Sequence, residues 1–323
     1  MGKKISLIFG CSGQDGALLS RSLLKQNYEV VGTSRAIKTN EVTCLRNHSL
    51  LGIDKDVRFK NCHLTNFKEV ANLIDKVNPD EIYNLAAQSS VSKSYKNPQE
   101  TFSSIIDVTL NILEVCRETN YDGNIFFAGS SEIFGNTETK ANIKHKHRPL
   151  SPYGIAKETS FNLVELYRNL YNIKCVTGIL FNHESPLRNK NFVTQKIISE
   201  ALLCTNKKSH KVSLGNLNVQ RDWGWAEEYI EAFQLINRST SKKDQIVCTG
   251  KLTKLERFVE IVFDELNLNW KDHVTSDSEF FRKGEIIKSF GDPSQIKNDL
   301  NWEAKVNINS IIKKLIEFKI NSL

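Results

Sequence analysis

No apolar run in the sequence approaches the roughly 20 residues that span a bilayer. The first candidate, Ile5 to Phe9, ends at Gly10 with no cleavage site behind it. It reads as a strand rather than an export signal, and a cytoplasmic, membrane-free protein is expected. The seven cysteines (Cys11, Cys44, Cys62, Cys116, Cys175, Cys204 and Cys248) include no CxxC pair. An odd, dispersed set suits reduced thiols and argues against a disulfide framework or a metal cluster. Low-complexity linkers and internal repeats are missing too. The formal charge is +7, but the lysines are spread out and no recognition-helix or RNA-module signature accompanies them, which sets nucleic acid aside. The densest basic patch, Lys144 to Arg148, reads as a solvated loop. A positive surface suits a small anionic ligand instead.

What is present is an alternation. Of the 323 residues 40% are hydrophobic and 25% charged, an ordinary globular balance. Strand-like runs at Lys4–Phe9, Glu29–Gly32, Val57–Asn61, Glu81–Ala86, Asn124–Ala128 and Lys174–Leu180 alternate with helical spacing at Gln14–Gln26, Phe67–Val77, Pro98–Thr119 and Ser151–Tyr171. Repeated β-α units predict an α/β fold with a Rossmann-type, doubly wound parallel sheet. Beyond about Phe181 the rhythm loosens, with helices expected near Asn191–Cys204, Lys254–Leu266 and Ile308–Ile320. Residues 1–180 are thus expected to form the sheet domain, and 181–323 a smaller lobe closing a cleft against it, with interleaving of segments allowed.

Gly10-Cys11-Ser12-Gly13-Gln14-Asp15-Gly16 joins the first strand to the first helix. Gly10 permits the tight turn, Gly13 lets backbone approach a pyrophosphate, and Gly16 permits close helix–strand packing. The helix start offers free N–H groups and partial positive charge to phosphates, so a dinucleotide is expected. At the end of the second strand an NAD site carries Asp or Glu for the ribose hydroxyls. Here the chain reads Gly32-Thr33-Ser34-Arg35. Either Arg35 pairs a 2′-phosphate, favouring NADP, or it is an exposed loop arginine.

Three segments converge at strand ends: Leu85-Ala86-Ala87-Gln88-Ser89, Ser130-Ser131-Glu132, and Ser151-Pro152-Tyr153-Gly154-Ile155-Ala156-Lys157. Tyr153 and Lys157 share a helical face. A neighbouring ammonium is expected to lower the phenol's pKa, so that Tyr153 accepts a proton from a sugar hydroxyl near neutral pH.

In this order the segments resemble the extended short-chain dehydrogenases. More narrowly, GCSGQDG at 10–16, IYNLAAQS at 82–89, SPYGIAK at 151–157, ILFNHESP at 179–186, NFVTQKI at 191–197, SLGNL at 213–217 and RDWGWAEEY at 221–229 resemble the GDP-mannose 4,6-dehydratase family, over essentially the whole chain. The resemblance implies dehydration of a GDP-hexose with no net redox change. Tyr153 and Lys157 serve C4 oxidation, Glu132 removes the C5 proton, and Ser130 hydrogen-bonds the C4 oxygen. It further implies NADP held by the glycine turn (Gly10, Ser12, Gly13, Gln14, Asp15, Gly16), Arg35, His63, Leu64, Leu85, Ala87, Ser89, Tyr153, Lys157, His183 and Arg188. The GDP-sugar would meet Ser89, Ser130, Glu132, Asn182, Val193, Lys196, Arg221, Arg282 and Glu285. A homodimer or homotetramer is implied as well.

Several positions depart from the family pattern. Ser130 stands for its threonine, Arg35-Ala36 for paired arginines, His63 for an aspartate, Glu100 for a tyrosine, and Leu187 for the arginine before Arg188. Plainer roles also stand open. Asn182 and His183 can satisfy buried backbone, Trp223 and Trp225 can be core, and Arg282 can be a surface ion pair. Competing activities are a GDP-sugar reductase or 4-epimerase, which needs no base for C5, a dehydratase of a GDP-manno-heptose, and a non-catalytic nucleotide-sugar-binding protein.

Overall fold

The structure is a computed structural model that describes residues 2–34, 45–282 and 284–322. Arg35, Ala36 and Cys44 lie outside the described residues.

The apolar run β1 (Ile5–Phe9) is the axis of the fold, buried from Ser6 onward. It pairs in parallel with β2 (Glu29–Thr33) on one side and β4 (Glu81–Asn84) on the other. β3 (Val57–Lys60) extends the first side, and β5 (Asn124–Ala128) and β6 (Cys175–Leu180) extend the second. A seventh strand, β11 (Gln245–Val247), joins the edge of β6, giving the order β11-β6-β5-β4-β1-β2-β3. The doubly wound parallel sheet expected from the alternation is therefore present, and it takes its last strand from beyond residue 180. Order reverses between β1 and β4, and crevices at such switch points, at the carboxyl ends of the strands, receive ligands in this architecture.

Helices cover both faces because each carries an apolar stripe. On one face α1 (Gln14–Lys25) lays Leu18, Leu19 and Leu23 against α9 (Ala226–Arg238), whose Phe233 stacks on Phe126 of β5 with centroids 4.7 Å apart. The other face holds α3 (Phe67–Val77), α6 (Val108–Glu118) and α7 (Pro152–Tyr171), around Val70, Ile112, Val115 and Val164. α5 (Pro98–Phe102) runs into α6 through one π turn at Ser103–Asp107, so the helix expected at Pro98–Thr119 is continuous but widened in its middle.

The second lobe has its own core. α8 (Val193–Asn206), α10 (Leu255–Glu265) and α12 (Ile308–Asn321) enclose Ile197, Phe258, Val262 and Ile311. Trp223 and Trp225, on β10 (Trp223–Trp225), are buried in that core, 5% and 8% exposed, which settles their packing role. β10 pairs with β7 (Asn182–Glu184), and this small ladder forms the seam between lobe and sheet. No described helix is long and apolar enough to cross a membrane.

Candidate active site

At the switch point the backbones of the β1 and β4 exits nearly touch. Gly10 has φ +80°, and a Cβ there would stand 2.7 Å from the Cα of Ala86. Gly16 is equally confined, since a Cβ would lie 2.6 Å from the Cα of Cys11. Only glycine fits either place. Gly13 is the N-cap of α1 and no side chain caps this helix. Its first N–H groups are therefore left for an anion, the arrangement that suits a pyrophosphate.

The side chains of this turn are engaged across the seam, which the sequence does not disclose. Asp15 places both carboxylate oxygens 3.1 Å from His183 Nε2, while His183 Nδ1 lies 2.8 Å from the Phe181 carbonyl. Burial pushes the Asp15 carboxyl up, but His183 and Gln14, with Arg188 nearby, outweigh it and hold the carboxyl below its usual range. Gln14 donates to the His183 carbonyl at 3.3 Å and accepts from Ser185 Oγ at 2.8 Å. Arg188 also donates to the His183 carbonyl and lies 3.3 Å from Glu184, which accepts from Thr194 at 2.7 Å. The phosphate-type turn, β7 and α8 are thus one connected polar network.

Ser130 is the N-cap of a short 3-10 turn, Ser131–Ile133, and accepts from the Glu132 N–H at 3.3 Å. That turn brings Glu132 to the cleft. Burial raises its pKa, against the pull of Arg221 and Arg282. Ser151 caps α7 by accepting from Gly154 N–H at 3.0 Å, and Pro152 follows at the first helical position. In the first and second turns of the helix, Tyr153 and Lys157 face the sheet, 9% and 8% exposed.

Here one expectation needs correction. Burial pushes the Tyr153 phenol up to about 12, with Ser130's hydrogen bond and Arg188 as opposing groups and Glu132 adding to the rise. The Lys157 ammonium does not offset that rise. Its Nζ donates to the Ala128 carbonyl at 2.7 Å and sits 5.8 Å from the phenol's ring centre, and burial brings its own pKa down to about 8. Desolvation beats the helical proximity of the two side chains.

One cleft of about 1540 Å³ is lined by all of the residues singled out from the sequence except Arg35, which lies outside the described residues. His63, Leu64, Leu85, Ala87 and Ser89 line it from the sheet side. Asn182, Val193, Lys196, Arg221, Arg282 and Glu285 line it from the lobe. Lys196 Nζ donates to the Ser213 carbonyl at 2.8 Å and lies 4.8 Å from the Phe280 ring centre. Arg221 donates to the Gln220 carbonyl at 3.0 Å, and burial lowers its pKa. Arg282 is exposed and lines the cleft. Among the departures, Glu100 pairs with Lys93 at 2.8 Å. Sequence reasoning missed Arg46, Asn47 and Phe280, which also line the cleft. Asn47 donates to the Ser12 carbonyl at 3.2 Å, and Ser34 donates to Ser12 Oγ at 2.9 Å. Their spacing from the glycine turn carries no local signal.

The same fold recurs in known proteins. A dTDP-glucose 4,6-dehydratase of Streptomyces venezuelae, solved with NAD bound, superposes with TM-score 0.85 at 18% identity, covering 98% of this chain and 97% of that one. A UDP-glucose 4-epimerase of Thermotoga maritima gives 0.86 at 19% identity, covering 98% and 99%. These likenesses show the fold. In sequence, a GDP-mannose 4,6 dehydratase of Arabidopsis thaliana is 35% identical, covering 98% of this chain and 89% of the relative. The Sinorhizobium fredii GDP-mannose 4,6-dehydratase is 31% identical, covering 99% and 98%. The family profile described as GDP-mannose 4,6 dehydratase matches residues 7–315. With the glycine turn, Ser130, Glu132, Tyr153 and Lys157 all on one cleft, the chain belongs to the GDP-mannose 4,6-dehydratase family.

Proposed function

We propose that this protein is an NADP-dependent hydro-lyase that converts GDP-mannose to GDP-4-keto-6-deoxymannose and water. The observation that carries the reading is Glu132 standing on the same cleft as Ser130, Tyr153 and Lys157. A reductase or 4-epimerase has no use for that carboxylate. Relatives bearing the dehydratase name in plant, insect, mammal and bacterium support it.

The residues fit a dinucleotide. The uncapped start of α1 and the Gly10–Ala86 approach are the cradle. Ser34 and Asn47 both hydrogen-bond to Ser12, and Arg46 also lines the cleft; a 2′-phosphate would find donors among these residues, with Arg35 as a further guanidinium. Lys157 would take the nicotinamide ribose. When bound, the oxidised nicotinamide supplies a hydride acceptor and donor and a positive charge in the cleft. Tyr153 takes the proton from the C4 hydroxyl, with Ser130 Oγ donating to the C4 oxygen. Glu132 takes the C5 proton, made acidic by the C4 ketone, and hands it to the C6 oxygen as the C6–O bond breaks and water leaves. The C5–C6 double bond left behind would take the C4 hydrogen back as hydride at C6, and Tyr153, holding the proton taken from the C4 hydroxyl, would return one proton to C5. Its raised pKa makes it a stronger base than an ordinary carboxylate. The second lobe holds the nucleotide-sugar through Lys196, Arg221 and Arg282 on the phosphates and base. Leu110, Leu166, Leu170 and Tyr171 on α6 and α7 are exposed, which supports assembly as at least a dimer through these helices. The buried free thiols Cys11, Cys62, Cys116, Cys175, Cys204 and Cys248 support work in a reducing cytoplasm.

The test is incubation of the purified protein with GDP-mannose and NADP, followed by mass analysis. Loss of one water from the sugar nucleotide supports the reading, and unchanged GDP-mannose sinks it.

A further inference from the structure

Beside Lys157 lies a second and much smaller cavity of about 10 Å³, which shares Ala86, Ala128, Gly129 and Lys157 with the cleft wall and is otherwise bounded by residues of β4, β5 and β6, the π turn, α6 and α7. Its wall is unusually polar for the middle of a sheet. Thr177 of β6, Ser160 of α7, Thr109 of α6, Asn84 of β4 and Lys157 all line it. Thr177 is 2% exposed, yet its Oγ1 has no hydrogen-bond partner in the protein. Its backbone is not free to move away: Thr177 N–H donates to Asp244 Oδ1 at 2.7 Å, and Asp244 is paired with Arg168 at 2.6 Å. Thr109 donates to the Ile105 carbonyl at 2.7 Å inside the π turn and lies 3.1 Å from Ser160 Oγ. Ser160 is thereby held beside the cavity one turn beyond Lys157.

We infer that this cavity is a site for one ordered water, joining Thr177 and Ser160 to the Lys157 ammonium and fixing the direction of that ammonium toward the cleft. The volume decides the number. A water needs about 10–15 Å³ of this kind of space and two to four polar partners, so one fits and two do not. The chemistry decides the partner set. An ammonium carries three donors, and Ala128 O takes one of them at 2.7 Å. A water beside the Nζ takes a second and itself donates to Thr177 and Ser160, leaving the third for the cleft. A buried hydroxyl without a partner is otherwise an expensive defect. Thr177 and Ser160 are in this sense positioning residues that act through Lys157. The charged and titrating groups facing Lys157 are Asp15 from α1 and Tyr153 from its own helix, with Glu132 and Arg188 bearing on Tyr153. An acceptor at the Nζ favours its charged form, so loss of the water lowers the pH at which Lys157 discharges.

The inference rests on the dehydratase reading for Lys157's role, so two measurements are paired. A crystal structure of the holoprotein, at a resolution that orders internal waters, is expected to show one peak within hydrogen-bond distance of Lys157 Nζ and Thr177 Oγ1. A dry cavity overturns the site. In kinetics, Thr177→Val keeps the side chain's shape and removes the hydroxyl. It should lower kcat by about 3- to 30-fold, short of the 10²-fold of full misplacement, leave KM for GDP-mannose unchanged, and move the basic limb of the pH profile downward. Thr177→Ser should restore the parental profile. A Thr177→Val enzyme with parental kcat and pH profile, or a Thr177→Ser enzyme equally impaired, overturns the positioning role. Failure of the parent protein to dehydrate GDP-mannose would instead remove the functional reading, and the crystal peak would still judge the water site.

Discussion

Replacing Glu132 by glutamine separates catalysis from stability with opposite signs. Glutamine keeps the shape and the backbone hydrogen bond to Ser130, but it is no base. Losing one general base slows a proton-transfer step by about 10²–10⁴-fold, or about 3–5 kcal/mol in barrier. Formation of the keto-deoxy product should slow by that factor, while GDP-mannose binding, followed by calorimetry, should hold within a few fold. Stability should move the other way. Burial raises the Glu132 pKa despite Arg221 and Arg282. The native state therefore holds this proton to a higher pH than the unfolded chain does, and above that pH the carboxylate subtracts from stability. A neutral glutamine lifts the subtraction, so Tm at pH 7 should be unchanged or higher. The same sign places the acid limb of the parent's kcat profile above an ordinary carboxylate value. A Glu132→Gln enzyme that makes product at the parental rate refutes the assignment of the base. One that is slow because its Tm has dropped refutes the reasoning about burial.

Three further outcomes are expected. Calorimetric titration of the cofactor-free protein should show tighter binding of NADP than NAD, and equal or tighter NAD would remove the 2′-phosphate assignment. Gly10→Ala should destabilise by at least the roughly 1–3 kcal/mol of a strained backbone, since the added methyl meets Ala86; an unchanged Tm and cofactor affinity would mean the β1 and β4 exits are not in contact. Light scattering at micromolar protein should give at least a dimer, and Leu170→Glu should weaken it; a monomeric parent would leave the exposed face of α6 and α7 unexplained.

Much of this molecule is legible in the sequence where physics is local. β1 is an apolar run closed by glycine, and Tyr153 and Lys157 meet because a helix repeats. The Gly10, Gly13 and Gly16 triplet sits between strand and helix, as a phosphate cradle requires. What escapes is set by contacts between distant residues. Asp15 and His183 are far apart in sequence, and neither betrays the other. β11 is three residues long and flanked by loops, so nothing in Gln245–Val247 announces a seventh sheet strand. The direction of the Tyr153 shift escapes the sequence for the same reason: helical spacing reports that Lys157 is near, but not how much water both groups have lost.

The return of the chain to the large sheet at β11 constrains how this protein can change. Residues 182–225 leave the sheet after β6 to build part of the lobe, α9 and β11 come back to pack on β5 and β6, and the chain then departs again for α10 and α12. The lobe is a loop sewn on at two seams, not a bead on a string. It cannot be cut off after Leu180 without stripping β6 of its edge partner and uncovering the α9 face of the sheet. Nor can it be exchanged for another lobe by a single crossover. New sugar specificity in such a chain must come from replacing side chains along the cleft, residue by residue, with the stitching left in place.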